Sequence, residues 1–174
     1  MRIRALGVDD LEPIRAIEVR AGALFHEVGM SDIAAHPVPS AEVLARFVAG
    51  GRGWVVADEA DRPVAFVLVE VVDELAHVEQ VGVDPAYARK GLGSDLIDHV
   101  ERWAAERGMP ALTLTTFREV PWNGPYYRRL GFVEVAEIER GPELVKLMAA
   151  EVRHGLDPAE RIAMRRPVMP TGQG

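Results

Sequence analysis

The sequence predicts a mixed α/β fold in which helices flank a twisted, mostly antiparallel sheet. Stretches with apolar residues at helical spacing alternate with short apolar runs rich in valine, which are typical of strands. Near the middle of the chain, three strand-like stretches follow one another without a helix between them, as in an antiparallel meander. Together these patterns indicate one layered domain, residues 1–174.

The predicted elements follow the order β-α-α-β-β-β-α-β-α-β-α-β. In turn they are a strand Ile3 to Leu6, a helix Asp9 to Val28, a loop Gly29 to Pro39, a helix Ser40 to Gly50, strands Gly53 to Asp58, Pro63 to Val72 and Leu75 to Val83, a helix Leu92 to Gly108, a strand Ala111 to Phe117, a helix Pro121 to Leu130, a strand Phe132 to Ala136, a helix Pro142 to His154, a strand Arg161 to Val168 and a frayed tail Pro170 to Gly174.

Capping residues and apolar runs define the elements of the first half. Asp9 and Glu12 have the spacing of a capping box at the start of the first helix. Ser40 is expected to cap the second helix. The run Val64 to Val69 is apolar on both faces, so this strand is expected at the centre of the sheet.

Glycine and proline mark the boundaries in the second half. A helix is expected to open at Gly91 and to end at Gly108, with Pro110 beyond it. Pro142 is expected to start the last helix and Gly155 to stop it.

The composition of the chain argues against several classes of function. The chain has no cysteine, which excludes disulfide frameworks, thiolate metal sites and cysteine nucleophiles. A net charge of −7 argues against nucleic-acid binding. No apolar run approaches the ~20 residues of a membrane helix, and the N-terminus lacks the apolar stretch of a signal peptide. We therefore expect a cytoplasmic protein with no nucleic-acid or membrane partner and, since no His, Asp and Glu residues have ligand spacing, no metal.

The stretch Val83 to Ser94 joins a strand to a helix and contains Gly91 and Gly93. Glycines let backbone N–H groups approach a ligand, and a helix N-terminus attracts anions. Arg89 and Lys90 add positive charge, so phosphate binding is expected here. The stretch lacks the Gly-Lys-Ser/Thr of a P-loop, and leucine at 96 departs from the Rossmann fingerprint. A tight turn with solvated basic residues is the alternative.

The segment Val81 to Leu96 resembles the pyrophosphate loop of the GNAT superfamily, the acyl-CoA-dependent N-acyltransferases. The family pattern is Arg/Gln-x-x-Gly-x-Gly/Ala after a strand. Gly91 and Gly93 match its two small residues. Ala88 stands where the family has arginine or glutamine, and Arg89 follows one residue later.

A second segment, Trp122 to Phe132, is similar to the Asn…Tyr-x-x-x-Gly-Phe segment of the same family. Tyr127 stands four residues before Gly131, as the family tyrosine does. Val120 occupies the usual position of the family asparagine, and Asn123 lies only four residues before the tyrosine. The order of elements also resembles the family over nearly the whole chain.

This resemblance implies that acetyl-CoA lies between two parallel strands that splay apart, here Leu75 to Val83 and Ala111 to Phe117. Backbone groups of Val81 and Val83 would pair with the pantetheine amides, and Gly82 between them suits a bulge or a close approach. The implied cofactor-binding residues are Val81, Gly82, Val83, Arg89, Lys90, Gly91, Leu92, Gly93, Ser94 and Asn123.

The resemblance also implies direct attack of an amine on the acetyl thioester, which calls for a base, an oxyanion donor and an acid. His77 and Glu79 lie two apart on a strand and share a face, where they are expected to relay the amine proton. Tyr127 is expected to protonate the leaving sulfur, and a backbone N–H near Val81 to bind the oxyanion. The alternatives are that Glu79 pairs with an arginine, His77 fills space and Tyr127 is a core tyrosine.

The acceptor is predicted to be the primary amine of a small molecule, because the loop 29–39 could wall off a small pocket. The substrate candidates are Phe25, Glu27, His36, Glu119 and Trp122, of which the glutamates could attract a cationic amine, although solvated or structural roles are the alternative. A protein N-terminus or lysine is the alternative acceptor. A non-catalytic acyl-CoA-binding module and a binder of other nucleotides are alternative functions, and a homodimer is a further expectation.

Overall fold

The computed structural model describes residues 1–170, so residues 171–174 of the predicted tail lie outside the described part. The helices and strands are β1 (Arg2–Ala5), α1 (Leu11–Gly22), α2 (Ser31–Ala34), α3 (Ala41–Ala49), β2 (Gly53–Ala57), β3 (Pro63–Val72), β4 (Leu75–Val83), α4 (Leu92–Glu106), β5 (Ala111–Phe117), α5 (Gly124–Arg129), β6 (Val133–Glu134), α6 (Pro142–Arg153) and β7 (Arg161–Pro167).

Within residues 1–170, seven strands form one sheet with the order β1-β2-β3-β4-β5-β7-β6. Antiparallel pairing joins β1 to β2, β2 to β3, β5 to β7 and β6 to β7, whereas β4 and β5 run parallel. The predicted fold class, a mostly antiparallel mixed sheet with one parallel pair and flanking helices, is confirmed.

The parallel pair is joined over a short length. Within residues 1–170 its register pairs only Ala76 with Leu112 and His77 with Thr113, although the strands have nine and seven residues. Most of each strand is therefore not paired with the other, in agreement with the predicted splay.

The chain groups into two compact units. The first consists of residues 1–69 and 80–99, and the second of residues 70–79 and 100 onward. The expectation of a single domain stays a prediction. No helix within residues 1–170 is long and apolar enough to cross a membrane, and the cytoplasmic location stays a prediction.

The core of the first unit lies between helices α1 and α3 and the strands beside them. Ile14 and Ile17 of α1 are buried as the helical periodicity predicts, and Phe47 of α3 joins the same cluster. Phe66 of β3 is fully buried in it. Burying these large apolar side chains provides much of the free energy that folds the unit.

The start of α1 differs from the predicted capping box. A 3-10 turn at 8–10 precedes the helix, and the Asp10 carboxylate closes this turn by accepting a 2.7 Å hydrogen bond from the Gly7 N–H, whereas α1 itself begins without a side-chain cap. Arg4 donates two further hydrogen bonds to Asp10, of 2.7 and 2.9 Å. Burial alone would raise the pKa of the Asp10 carboxyl, but these hydrogen bonds lower it further than burial raises it.

The first helix is shorter than the predicted range to Val28, whereas the predicted loop 29–39 is more regular than expected. The helix α1 ends at Gly22, a weak helix former, and the chain continues as a 3-10 turn over 23–28. The expected loop 29–39 contains the short helix α2, and Arg15 of α1 donates a 2.8 Å hydrogen bond to the Pro39 carbonyl. Ser40 caps α3 as predicted, since its hydroxyl accepts from the Val43 N–H.

In the second unit, α6 packs by Leu144 and Leu147 against Val72, Val135 and Ala163. The turn between β3 and β4, at Asp73 and Glu74, has left-handed backbone at both residues, with φ of 51° and 62°.

Asp73 also caps α6 although it lies some 70 residues earlier in the sequence. Its carboxylate accepts hydrogen bonds from the N–H groups of Glu143 and Leu144 at 2.9 and 3.0 Å. In return the Glu143 carboxylate accepts a 2.6 Å hydrogen bond from the Asp73 N–H. Gly141 is required beside this cap, because a Cβ there would lie 2.4 Å from the Asp73 carboxylate. The turn and the helix therefore hold each other by a reciprocal capping arrangement.

Candidate active site

The loop between β4 and α4 starts with a fixed aspartate. The Asp84 carboxylate accepts a 3.0 Å hydrogen bond from the Ala86 N–H and a 2.6 Å hydrogen bond from Arg20 of α1. Burial alone would raise the pKa of Asp84, but the Arg20 hydrogen bond and the backbone hydrogen bond lower it overall. The carboxylate therefore stays ionised and holds the start of the loop against α1.

The rest of this loop contains two left-handed residues, Arg89 with φ of 61° and Gly91 with φ of 77°. Glycine adopts this conformation freely, whereas arginine there carries a cost of about 1 kcal/mol. The first α-helical hydrogen bond of α4 runs from the Asp95 N–H to the Gly91 carbonyl. Because helix geometry leaves the N–H groups of residues 92–94 without an acceptor inside the helix, they are suited to an anion.

Positive side chains lie next to these N–H groups. Arg89 and Lys90 are both exposed, and the Lys90 ammonium lies 5.2 Å from the centre of the Tyr87 ring. The loop therefore combines a helix start, left-handed backbone and two cations within six residues. This combination fits a phosphate or pyrophosphate group.

The structure gives a reason for a glycine at position 82 that the sequence does not reveal. A Cβ at this position would lie 2.3 Å from the ring of the buried Phe66, so only glycine lets β4 pass over this aromatic side chain. Its neighbours Val81 and Val83 are partly exposed. The expected role of Gly82 beside a ligand stays a prediction.

In the second unit, His77 of β4 lies opposite Thr113 of β5 in the parallel register. The imidazole Nδ1 and the Thr113 hydroxyl are joined by a 2.9 Å hydrogen bond, and the histidine is 1% exposed. Thr113 was not among the predicted site residues. The threonines of this strand were visible in the sequence, but only the strand register brings this one to His77.

His77 and Glu79 lie near each other, as two residues on one face of a strand should. The imidazole Nε2 lies 3.9 Å from a Glu79 carboxylate oxygen, which is longer than a hydrogen bond. The Glu79 side chain is 44% exposed, so solvent reaches it while the histidine is buried. The two side chains are therefore close but not directly hydrogen-bonded to each other.

Burial lowers the pKa of His77 to about 4, although the nearby charges of Glu70 and Asp73 raise it. The imidazole is therefore neutral at pH 7. With so low a pKa, His77 is a weak base at pH 7, because a general base works best with a pKa near the working pH.

This buried imidazole is expected to make stability depend on pH. An unfolded histidine with a pKa near 6.5 takes up a proton on acidification, whereas folded His77 does not until about pH 4. The stability it contributes is complete above pH 6.5 and is lost as the pH falls. Between pH 7 and pH 5, the free energy of unfolding in urea should fall by about 2 kcal/mol more in the wild type than in His77→Gln, in which every other titrating group is unchanged.

The exposed His36→Gln variant is the control, and it should keep the pH slope of the wild type. Equal slopes for His77→Gln and the wild type would contradict the assignment of this titration to His77.

Tyr127 of α5 is partly buried and packs against two aromatic rings. It packs edge-to-face on Tyr126 and Phe132, with ring centres 5.3 and 5.7 Å apart. Burial raises the pKa of the Tyr127 phenol well above its usual value, and the neighbouring Tyr126 raises it further. The phenol is thus protonated at neutral pH and suited to donate a proton or a hydrogen bond.

The position of α5 depends on Gly124, which the sequence analysis did not single out. A Cβ there would lie 2.4 Å from the Arg118 carbonyl oxygen and 3.0 Å from that of Phe117, just past the end of β5. The Asn-Gly-Pro sequence before the tyrosines is a signal that could have pointed to this contact. Asn123 contributes its backbone, since its carbonyl accepts a 2.9 Å hydrogen bond from the Tyr127 N–H.

Comparison with known protein families identifies the family of this chain. A sequence model of the acetyltransferase (GNAT) family matches residues 23–132. The chain belongs to the GNAT acetyltransferase family. The match includes the β4–α4 loop, His77 and Tyr127, and it supports acyltransferase activity.

Individual relatives agree with this GNAT assignment. An uncharacterized N-acetyltransferase of Methanocaldococcus jannaschii is 28% identical over 101 residues. That match covers 54% of this chain and only 45% of the relative, less than half its length.

Solved GNAT structures share the fold over nearly the whole chain. The Escherichia coli ribosomal-protein-S18-alanine N-acetyltransferase has a TM-score of 0.66 at 23% identity, covering 99% of this chain and 97% of that one. The PaiA N-acetyltransferase of Thermoplasma acidophilum, solved with coenzyme A, has a TM-score of 0.70 at 16% identity, covering 95% and 98%. At these identities the likeness establishes the fold alone.

Two positions depart from the GNAT pattern. Ala88, at the position of the family arginine or glutamine, is exposed and has extended backbone, and the left-handed Arg89 follows it. Val120, at the position of the family asparagine, is buried with 6% exposure. A buried valine has no polar group to offer a ligand, so this GNAT chain lacks the asparagine side chain there.

The predicted substrate residues are divided between the two units. Phe25, partly buried, and the exposed Glu27 and His36 belong to the first unit. Glu119, exposed, and Trp122, partly buried, belong to the second. Their roles stay predictions, as does the homodimer. Among residues 1–170, no three His, Asp or Glu side chains form a group that could hold a metal ion.

Proposed function

We propose that this chain transfers the acetyl group of acetyl-CoA to the primary amine of a small molecule. The observation that carries the proposal is the β4–α4 loop of a GNAT chain, with its two left-handed residues, Arg89 and Gly91, directly before the start of a helix. Such a loop suits the pyrophosphate of coenzyme A.

The coenzyme is proposed to lie along the edge of β4. The backbone groups of Val81 and Val83 would pair with the pantetheine amides, since the register of β4 with β5 extends only to His77 and Thr113. The N–H groups of residues 92–94, with Arg89 and Lys90, would bind the pyrophosphate oxygens.

In the proposed reaction the amine nitrogen attacks the thioester carbonyl, a C–N bond forms and the C–S bond breaks. The amine must first lose a proton, which we assign to Glu79 acting through water, because solvent reaches its half-exposed carboxylate whereas His77 is buried and bonded to Thr113. The Tyr127 phenol is protonated at neutral pH and is assigned to donate a hydrogen bond or a proton to the departing thiolate, although its raised pKa makes it a weaker acid than a free tyrosine. His77 is then a positioning residue that joins β4 to β5.

A small acceptor is supported by the segment 29–39 of the first unit. This segment is folded rather than open, since it contains α2 and is held by the Met30 N–H to the Phe25 carbonyl and by Arg15 to Pro39. A folded segment beside Phe25 and Glu27 suits a limited pocket. A peptide with a free N-terminus or a lysine is the competing acceptor and belongs in the same assay.

The first experiment is thermal unfolding with acetyl-CoA, coenzyme A, NAD and ATP in parallel. A ligand at one hundred times its Kd stabilises the folded state by about 2.7 kcal/mol. For a chain of 174 residues this raises Tm by roughly 5–11 °C. We expect the rise with acetyl-CoA and coenzyme A, and none with NAD or ATP.

A rise with NAD or ATP alone would contradict the acyltransferase proposal. If acetyl-CoA binds, thiol release over a panel of small amines and peptides then identifies the acceptor. Binding without thiol release on any acceptor would favour the non-catalytic module.

A further inference from the structure

A pocket of about 220 Å³ lies against α6 in the second unit and shares no lining residue with the site proposed for acetyl transfer. Its apolar wall consists of Val145, Met148, Ala149, Val152, Leu156 and Pro158. This volume exceeds what one water molecule needs, so a small organic molecule fits.

Arg140 and Glu151 both line this pocket, and one buried side-chain atom of each has no hydrogen-bond partner within residues 1–170. These atoms are Nε of Arg140, a donor, and Oε2 of Glu151, an acceptor. A buried polar atom without a partner is costly, and the great majority of such atoms in folded proteins have one. One donor and one acceptor on the same wall therefore indicate a ligand that offers both complementary groups.

The orientation of the Glu151 carboxylate is fixed by its neighbours. The other oxygen of Glu151, Oε1, accepts hydrogen bonds from the Thr115 hydroxyl at 2.9 Å and from Arg161 Nε at 3.2 Å, and Arg161 Nη2 donates to it as well. Arg161 in turn lies over the Phe117 ring, 4.6 Å from its centre. Because Arg161 already neutralises this carboxylate, Oε2 needs a neutral N–H donor rather than a second cation.

We propose that this pocket binds a small aliphatic amide. The amide N–H would donate to Glu151 Oε2, its carbonyl would accept from Arg140 Nε, and its aliphatic part would contact Val145, Met148 and Val152. A carboxylate fits less well because it would face Glu151 with negative charge. A zwitterion would bring two full charges onto an apolar wall. This site goes beyond acetyl transfer and does not depend on it.

The test is a titration of the full chain with isovaleramide, followed by NMR of the Arg140 Nε–H and the methyl groups of Val145 and Val152. For a ligand of this size, a saturable change with a Kd of about 1–10 mM is expected. The ketone 4-methylpentan-2-one has the same shape with a methyl in place of the NH₂ group. It should bind at least about tenfold more weakly, because it leaves the Glu151 oxygen unpaired.

Arg140→Met should weaken isovaleramide binding by at least about tenfold, whereas Arg153→Met, an exposed change at the end of α6, should keep it. Arg140→Lys, which also lacks Nε, is the second variant if the methionine disturbs folding by circular dichroism. Equal binding of amide and ketone would overturn the proposal. So would the lack of any saturable change, which would mean that water alone satisfies the two atoms.

Discussion

Tyr127→Phe is expected to lower kcat by a factor of about 10²–10⁴, the range that a general acid contributes. The variant keeps the ring and its contacts with Tyr126 and Phe132, so folding and coenzyme binding should not change. It removes only the hydroxyl whose high pKa keeps it protonated at neutral pH. The measurement is the rate of thiol release at saturating acetyl-CoA, with Tm recorded with and without the coenzyme.

Tyr126→Phe is the matched control, since it removes a hydroxyl from the neighbouring ring of the same helix. It should leave kcat nearly unchanged. If Tyr127→Phe keeps the wild-type rate, the phenol is not the acid, and a packing tyrosine becomes the better description of this residue.

Gly124→Ala is expected to reduce both stability and turnover. The added Cβ would lie 2.4 Å from a backbone oxygen, and backbone cannot rotate away as the end of a flexible side chain can. The helix α5 must shift, at a cost of about 3 kcal/mol in the free energy of unfolding. Tyr127 moves with α5, and a displacement of about 1 Å can lower kcat roughly 10²-fold. Urea unfolding and the thiol-release assay measure the two effects.

Gly22→Ala provides the comparison, because Gly22 has helical backbone and a Cβ added there would meet no atom of another element within 4 Å. It should be neutral or stabilise the chain by up to about 1 kcal/mol. A Gly124→Ala variant as stable and as active as Gly22→Ala would show that α5 does not depend on this close contact.

The sequence was sufficient for the fold class and for most strands. The strands β3, β4 and β5 have the predicted ends, because unbroken apolar runs bounded by turn residues leave little choice of boundary. The predicted start of α1 at Asp9 was wrong, because residues 8–10 form a 3-10 turn in which the Asp10 carboxylate is bound by Arg4 and by the Gly7 N–H, contacts that sequence spacing does not reveal. The helix α2 was missed because a four-residue helix carries no periodicity.

The candidate site was predictable where its chemistry is local. The β4–α4 loop and Tyr127 belong to short segments whose spacing is itself the signal. Thr113 and Gly124 were not predictable, because each acts through a contact with a residue on another element. The low pKa of His77 was also not predictable from the sequence. It follows from burial of the imidazole, which depends on how distant parts of the chain pack around it.

The cap that Asp73 places on α6 has a consequence for chimeras between relatives. The last helix cannot be transplanted by itself, because the host would leave its first N–H groups uncapped unless its β3–β4 turn carried an acidic residue in the same left-handed backbone. Gly141 would have to travel with them to leave room for the carboxylate. The acidic turn residue, Gly141 and α6 must therefore be transferred together, although nearly 70 residues of sequence separate the turn from the helix.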